Sequence, residues 1–231
     1  TGTLTENRMR VRELLSGLER YPVSALAKRP DLVARQRDFF LTAALCHSLH
    51  ETERHGQKVL LGDPMEAALV EMGRAALPSL SPSYSVDEVS FDADRMRQSV
   101  VYEVQGGKVL YCKGAPESLY PLCRHISEAG AIRPLDAATL AAIVQAQDAM
   151  AERGLRILAF ATRNLPSSCE RSAFEQDMVF LGLVGLEDPP RPDVPEAIGK
   201  CRTAGIKVIM VTGDHPRTAS GRCNGHSTAC S

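Results

Sequence analysis

Three short strings carry the side chains best suited to chemistry. The chain opens on Thr1-Gly2-Thr3-Leu4-Thr5, carries Lys113-Gly114-Ala115-Pro116-Glu117 in its middle, and has Thr212-Gly213-Asp214 after a late apolar run. Hydroxyls, a carboxylate and a lysine beside glycines can serve phosphoryl transfer, which depends on positioning and charge neutralisation. Glycine also lets the backbone approach a ligand closely. Taken singly the strings are weak, because Thr-Gly-Asp occurs in many loops and a lysine before a glycine is usually a solvated turn residue.

In this order the strings resemble the cytoplasmic part of P-type cation-transporting ATPases, pumps that phosphorylate their own aspartate from ATP. The family's phosphorylation motif reads Asp-Lys-Thr-Gly-Thr-Leu-Thr, and the chain begins at its third residue, Thr1. The resemblance covers about 1–219 and is closest to the calcium/sodium type. It implies a segment that binds ATP with Mg²⁺ and presents it to an aspartate just outside this chain. We expect these residues alone to bind ATP weakly, without hydrolysing it or becoming phosphorylated.

The resemblance assigns the phosphate end of ATP to residues near both ends of the chain. The Thr1 carbonyl would contact Mg²⁺, and the hydroxyl and amide of Thr3 would contact the phosphate. Thr212, Gly213 and Asp214 would approach the phosphate from the opposite side. This cradle is the predicted catalytic part of the site.

The adenosine end is assigned to the larger central domain. Phe91 matches the family's aromatic residue that stacks on adenine, a contact that contributes ~1–3 kcal/mol per base. Lys113 would lie close to the base and the α-phosphate, with Gly114 turning the chain after it. Glu66 matches the glutamate that accepts from the adenine amino group, and Arg156 matches an arginine that reaches the phosphates.

Plainer interpretations compete with these assignments. Phe91 could be a core residue at a strand end, and Glu66 a first-turn glutamate favoured by the helix dipole. Arg156 could be a surface cation at the start of a strand. The functional interpretation is favoured because each residue lies inside a longer matching string. Asp188 and Arg191 belong to such a string upstream of Thr-Gly-Asp and complete the predicted nucleotide set. The chain departs from many relatives at Ala93, Met96 and Gln98.

Composition narrows the function further. The net charge of −1 argues against a general nucleic-acid binder, which needs a basic excess. No apolar run approaches the ~20 residues that span a bilayer, so we expect a soluble segment on the cytoplasmic face of a membrane-embedded parent protein. The seven cysteines form no C-x-x-C pair and are interpreted as reduced thiols. Two groups of possible metal ligands lack ligand-type spacing. For Cys46, His47, His50 and His55, a buried thiol with solvated imidazoles is favoured over a metal site. For Cys223, His226 and Cys230, a metal site is likewise disfavoured.

Elements able to position these residues follow from the hydrophobic periodicity. Helices are predicted over 31–50, 65–77, 115–122, 136–153 and 194–204. Strands are predicted over 59–61, 86–91, 98–104, 108–113, 156–162, 178–186 and 207–211. Asp63 is the expected N-cap of the second helix, and Gln105-Gly106-Gly107 the expected hairpin turn. The proline cluster at 187–192 indicates a hinge or linker.

The predicted fold class is α+β, a mainly antiparallel sheet flanked by helices, with partial α/β Rossmann-like pieces at both ends. By resemblance, 1–7 and 187–219 are fragments of the phosphorylation domain and 8–186 is the nucleotide-binding domain. The tail, 220–231, is expected to be disordered. Expected partners are ATP and the rest of the pump, namely its phosphorylation, actuator and transmembrane domains, with no nucleic acid and no direct membrane insertion.

Two other functions stay open. One is a fragment of a haloacid-dehalogenase-type phosphatase or phosphotransferase, which shares the chemistry but leaves Phe91 and Lys113 unexplained. The other is a non-catalytic interaction module with a decayed pocket. The departures from the family at Ala93 and Met96 support this alternative. Loss of nucleotide binding would favour this last alternative.

Overall fold

The computed structural model describes residues 5–54, 57–81, 84–189, 191–207 and 209, which form eleven strands and six α-helices. The strands are β1 Arg10–Ser16, β2 Glu19–Pro22, β3 His50–Arg54, β4 Gln57–Leu61, β5 Ser85–Asp92, β6 Arg97–Val104, β7 Gly107–Gly114, β8 Cys123–Glu128, β9 Ala131–Pro134, β10 Arg156–Leu165 and β11 Met178–Glu187. The helices are α1 Pro30–Arg35, α2 Arg37–Leu45, α3 Pro64–Ala76, α4 Pro116–Leu119, α5 Ala137–Glu152 and α6 Val194–Thr203. Short 3₁₀ turns cover Val23–Lys28, Tyr120–Leu122 and Arg171–Ala173.

Nine of the strands form one sheet, and the fold class is the predicted α+β class. The main path runs β2-β1-β11-β10-β7-β6-β5, with β8 beside β11 and β9 beside β8. The neighbours along the main path are antiparallel, and β8 with β11 is parallel. Strands β3 and β4 form a separate hairpin. Because β5 ends the path, one of its edges has no strand beside it within the described part of the chain.

Helices cover both faces of the sheet. Consecutive strand residues point to opposite sides, so each strand contributes side chains to both faces. On one face, Val100 and Tyr111 pack in a cluster with Phe39 and Phe40 of α2 and Leu69 of α3. On the other face, the neighbouring strand residues join a second cluster that includes residues of α5: Val101, Leu110, Ile143 and Met150. The sheet is therefore buried on both sides at β6 and β7.

Most predicted elements are present within one or two residues. The Asp63 carboxylate accepts from the backbone N–H groups of Met65 at 2.7 Å and Glu66 at 3.3 Å, so the predicted N-cap is confirmed. The hairpin turn between β6 and β7 is also confirmed, with Val104 paired to Gly107. The last predicted strand, at 207–211, lies largely outside the described residues, as does the tail.

The prediction of one helix over 31–50 is wrong. The backbone leaves helical geometry at Gln36, with φ −112° and ψ 34°, and again at Cys46, with φ −88° and ψ 82°. The chain from Cys46 to Leu49 then connects to β3, which begins at His50. An amphipathic pattern cannot separate two short helices on one core face from a single long helix, since both bury the same stripe.

The segments entering and leaving the sheet are tied together. β1 pairs with β11 so that Arg10 lies opposite Glu187. Beyond that pair, the Thr5 hydroxyl donates to the buried Asp188 carboxylate at 2.7 Å, and the Arg8 amide donates to its other oxygen at 3.1 Å. The Arg191 Nε atom donates to the Thr5 carbonyl at 3.0 Å. The proline-rich segment is therefore held against the segment that precedes β1.

No helix in the described part of the chain has the length and apolar character needed to cross a membrane.

Candidate functional site

Two residues predicted from the sequence meet in a direct ion pair. The Lys113 ammonium group, at the end of β7, donates to the Glu66 Oε1 atom in the first turn of α3. Both side chains are largely buried, with 8 % and 16 % of their surface exposed. A charge held this far from water needs a charged partner and further hydrogen bonds. The pair therefore marks a built polar site between the sheet and α3.

Local sequence explains why Glu66 points at the sheet. The Asp63 cap and Pro64 at the first helical position fix the start of α3, and a carboxylate in the first turn suits the helix dipole. Further along, Gly73 brings α3 against the backbone of α2, where an added Cβ would lie 2.8 Å from the Phe40 carbonyl oxygen. The helix that carries Glu66 is thus packed closely against α2.

A polar network that sequence reasoning missed extends from this pair. The second Glu66 oxygen accepts the Ser48 backbone N–H at 3.0 Å. The Gln98 side-chain nitrogen donates to the Ser48 hydroxyl at 2.7 Å and to the Glu88 carboxylate at 3.2 Å. Gln98 is 1 % exposed and pairs directly with Lys113 across β6 and β7. A polar residue at an otherwise apolar strand position was the signal that could have revealed it.

Two titratable side chains beside this polar network are held neutral. The Cys46 thiol is buried and contacts the Gln98 carbonyl at 3.6 Å, and burial raises its pKa to about 12. The pKa of His47 is lowered, first by burial and then by the positive charge of Lys113. Its Nδ1 atom accepts the Leu49 N–H at 3.2 Å, so Nε2 carries the proton. The expected solvated imidazole at His47 is therefore half-buried instead.

Phe91 lies near the free edge of the sheet with its ring largely in solvent. It is 63 % exposed, in a bulge of β5 between Val89, which pairs with Ser99, and Asp92, which pairs with Arg97. Gln98 lies across from this bulge, and Lys113 is one strand further. At ~4.8 Å per strand, Phe91 and Lys113 are roughly 10 Å apart. The interpretation of Phe91 as a core residue is wrong, because the ring is not buried.

Gly114 has a structural role beside its predicted functional one. A Cβ at this position would lie 2.5 Å from the Arg97 Cβ and 2.6 Å from the Met96 carbonyl oxygen. That carbonyl also accepts the Ala115 N–H at 2.9 Å. The close approach holds the turn between β5 and β6 against the end of β7, next to Lys113.

The other predicted site residues lie further away. Arg156 begins β10, four residues before Phe160, the partner of Lys113, which places it roughly 13 Å away along the strand. Asp188 and Arg191 are not part of the Glu66–Lys113 site, because both contact Thr5 at the far end of β11. The predicted phosphate cradle lies outside the described residues: Thr1, Thr3, Thr212, Gly213 and Asp214.

The arrangement offers specific contacts to a ligand. Glu66 supplies a carboxylate acceptor, Lys113 a cation, and Phe91 an exposed aromatic face. Such a set suits a planar ring with an amino group, attached to an anion. Among the residues that the structure describes, no group of three or more His, Cys, Asp or Glu side chains could hold a metal ion.

Comparison with known proteins agrees with the resemblance drawn from the three strings. Residues 35–193 match the family described as P-type ATPase, cytoplasmic domain N. A calcium-transporting ATPase 1 of Bacillus cereus is 34 % identical over 226 residues, covering 95 % of this chain and 24 % of its own length. A cation-transporting ATPase of Synechocystis is 31 % identical over 247 residues, covering 95 % of this chain and 27 % of its own.

A sodium/potassium pump subunit gives the same result. The sodium/potassium-transporting ATPase subunit alpha-2 of Bos taurus is 32 % identical over 252 residues, covering 97 % of this chain and 25 % of its own length. The chain thus spans about a quarter of the length of these relatives. The prediction of the family is confirmed, and the chain belongs to the P-type ATPases, of which it carries the cytoplasmic domain N.

Proposed function

We propose that this chain is the ATP-binding segment of an ion-translocating P-type pump. The observation that carries the proposal is the largely buried ion pair of Glu66 and Lys113, which lies two strands from the exposed ring of Phe91. Phe91 stacks on the adenine, Glu66 accepts from the adenine amino group, and Lys113 lies beside the base and the α-phosphate. Arg156, further along the same sheet, takes the outer phosphates.

The polar network supports binding of the base at this place. Glu66 already accepts two hydrogen bonds, from Lys113 and from the Ser48 amide, so its carboxylate is held in one orientation. A preoriented acceptor discriminates strongly, since a ligand without the matching donor leaves a polar group unpaired. Adenine presents an amino group where guanine presents a carbonyl oxygen. ATP is therefore expected to bind more tightly than GTP.

The phosphate end of the proposal rests on family membership and on the sequence motifs. Bound ATP is presented to an aspartate that the family carries just before the residue matching Thr1, and Mg²⁺ neutralises the transferred phosphate. The predicted Mg²⁺ contact is the Thr1 carbonyl, so the proposal gives the metal no ligand among the described residues. The partners are the phosphorylation, actuator and transmembrane domains of the pump, with this domain on the cytoplasmic side.

Titration of the chain with ATP and with GTP by calorimetry tests the proposal. Phe91→Ala is expected to weaken ATP binding by about tenfold, as loss of base stacking requires. Lys113→Ala is expected to abolish measurable binding, whereas Lys108→Ala, an exposed lysine at the other end of β7, should not change it. Glu66→Gln is expected to reduce the preference for ATP over GTP.

A thermal melt of every variant separates loss of binding from loss of folding. Absence of ATP binding by a fully folded wild-type chain would contradict the proposal. It would favour the alternative of a non-catalytic module with a decayed pocket.

A further inference from the structure

A largely buried glutamate on the opposite face of the sheet accepts hydrogen bonds from three donors. Glu175 lies between β10 and β11, and its side chain is 12 % exposed. It accepts from Arg95 Nη1, Arg97 Nε and the Ser99 hydroxyl, each at 2.7 Å. Burial raises the pKa of Glu175, but these hydrogen bonds outweigh burial and the pKa is lowered. The carboxylate therefore stays charged and holds both arginines.

One of these arginines reaches the backbone of the strand that carries Phe91. Arg95 uses its other terminal nitrogen, Nη2, to donate to the Ser90 carbonyl at 2.8 Å. Two residues earlier along β5, the Glu88 carbonyl accepts from Arg171, which also pairs with Asp87 at 3.3 Å. Arg95 and Arg171 thus bond alternate carbonyls of β5, a strand that has a strand neighbour on one side only within the described part of the chain.

The position of the Phe91 ring depends on this backbone anchoring. Since the ring is 63 % exposed, packing around it cannot fix its place. The bulge locally disrupts the ladder between β5 and β6, and a mobile ring would have to be ordered each time a ligand binds. The Asp92 carboxylate adds a local turn by accepting from the Asp94 and Arg95 amides at 2.9 and 3.0 Å. Arg95 and Arg171 fix the strand on the other side of the ring.

We propose that Glu175 is a positioning residue for nucleotide binding, acting through Arg95 and the Ser90 carbonyl to hold Phe91 in place for stacking on the base. The inference rests on the proposed function, since it requires that Phe91 stacks on the nucleotide. Glu175 makes no contact with the ligand. Its contribution to affinity should therefore exist only when Phe91 is present.

A double-mutant cycle on the 231-residue chain tests this dependence. ATP dissociation constants are measured by calorimetry for wild type, Glu175→Gln, Phe91→Ala and the double variant. Glu175→Gln alone is expected to weaken ATP binding about fivefold, in the range found for coupled side chains. In the Phe91→Ala background the same change should have less than about a twofold effect. Glu170→Gln, which removes a carboxylate from the same loop, is the matched control and should not alter affinity.

The outcomes are distinguishable. If Phe91→Ala leaves ATP affinity unchanged, the proposed stacking site is wrong and the inference with it. If Phe91→Ala weakens binding but Glu175→Gln has no effect, or has the same effect in both backgrounds, only the positioning role is overturned. Melting curves show whether each variant is folded at the titration temperature. If Glu175→Gln is not, Arg95→Gln, which leaves Glu175 paired with Arg97 and Ser99, is taken through the same cycle with the same expected results.

Discussion

His47 connects the charged pair to a measurable dependence of stability on pH. Its pKa is lowered below 6.5 because the half-buried ring loses solvation and the Lys113 charge opposes a second cation. The unfolded chain therefore takes up a proton near pH 6.5 that the folded chain resists. Stability due to the neutral ring is present at higher pH and decreases as pH falls through that range.

Replacement by a neutral side chain should remove this dependence. His47→Asn keeps an oxygen able to accept the Leu49 N–H, but it does not titrate. The difference in free energy of unfolding between wild type and variant is expected to be constant above about pH 7.5, and to shift in favour of the variant below about pH 6.5. Urea denaturation at a series of pH values measures it. A difference that stays constant through this range would show that the folded ring titrates normally.

Individual residues differed in how far the sequence could predict them. Glu66 and Lys113 were predicted because each lies in a string that resembles the family, and the structure brings them together. Gln98, Ser48 and Glu175 were not, because each depends on a partner 50 to 80 residues away in the chain. Pairings over such distances are fixed by strand register and helix packing, which local pattern does not contain.

Among the elements, α3 shows how one small residue controls the site. An added Cβ at Gly73 would lie 2.7 Å from the Ala44 nitrogen, and α3 could accommodate it only by moving away from α2. Since Glu66 lies in the first turn of the same helix, that movement would also displace its carboxylate from Lys113. Close packing of two helices is therefore a condition for the ion pair.

A matched pair of glycine substitutions tests this condition. Gly73→Ala is expected to destabilise the domain by about 1–3 kcal/mol, the usual cost of overpacking, and to weaken ATP binding. Gly199→Ala, in the exposed helix α6 where a Cβ meets nothing within 4 Å, should instead stabilise by up to about 1 kcal/mol. Chemical denaturation gives both values. Stabilisation by Gly73→Ala would mean that the two helices can separate freely.

The hydrophobic pattern of the sequence predicted the elements best where the buried residues recur with a single period. The long helix α5 and the strands β6, β7, β10 and β11 were predicted within a few residues because their apolar residues are buried in the main core. β1 was missed, since its string Arg-Val-Arg-Glu-Leu-Leu-Ser has no strict alternation and its burial follows its neighbours β2 and β11. β8 and β9 were missed for the same reason, since they are short strands of which β8 pairs with β11 and β9 pairs with β8.

At the scale of the whole molecule, the segment that precedes β1 and the segment that follows β11 are bonded to each other. The sequence indicated a hinge or linker at the prolines, but it could not show that Asp188 is bonded to Thr5, 183 residues earlier. The domain boundaries inferred from the resemblance stay predictions. What the structure adds is that the entering and leaving segments are joined by side chains beyond the end of the β1–β11 ladder.

Asp188→Ala is expected to destabilise the chain by about 2 kcal/mol, since the Thr5 hydroxyl and the Arg8 amide both lose a charged acceptor. Asp193→Ala is the control, because Asp193 lies in the same segment and makes no side-chain capping bond. Hydrogen exchange should show faster opening of β1 in the first variant only. Equal protection of β1 in both variants would mean that the ladder alone holds the two segments.

The antiparallel pairing of β1 with β11 also determines how the domain would respond to force. The entering and leaving segments lie side by side at the same end of the ladder, where Arg10 faces Glu187. Tension applied through both segments would load the hydrogen bonds one after another from this end of the ladder, instead of loading all of them at once in shear. The Asp188 bonds come first in that sequence, so they act as a latch whose strength sets the force at which the domain begins to open.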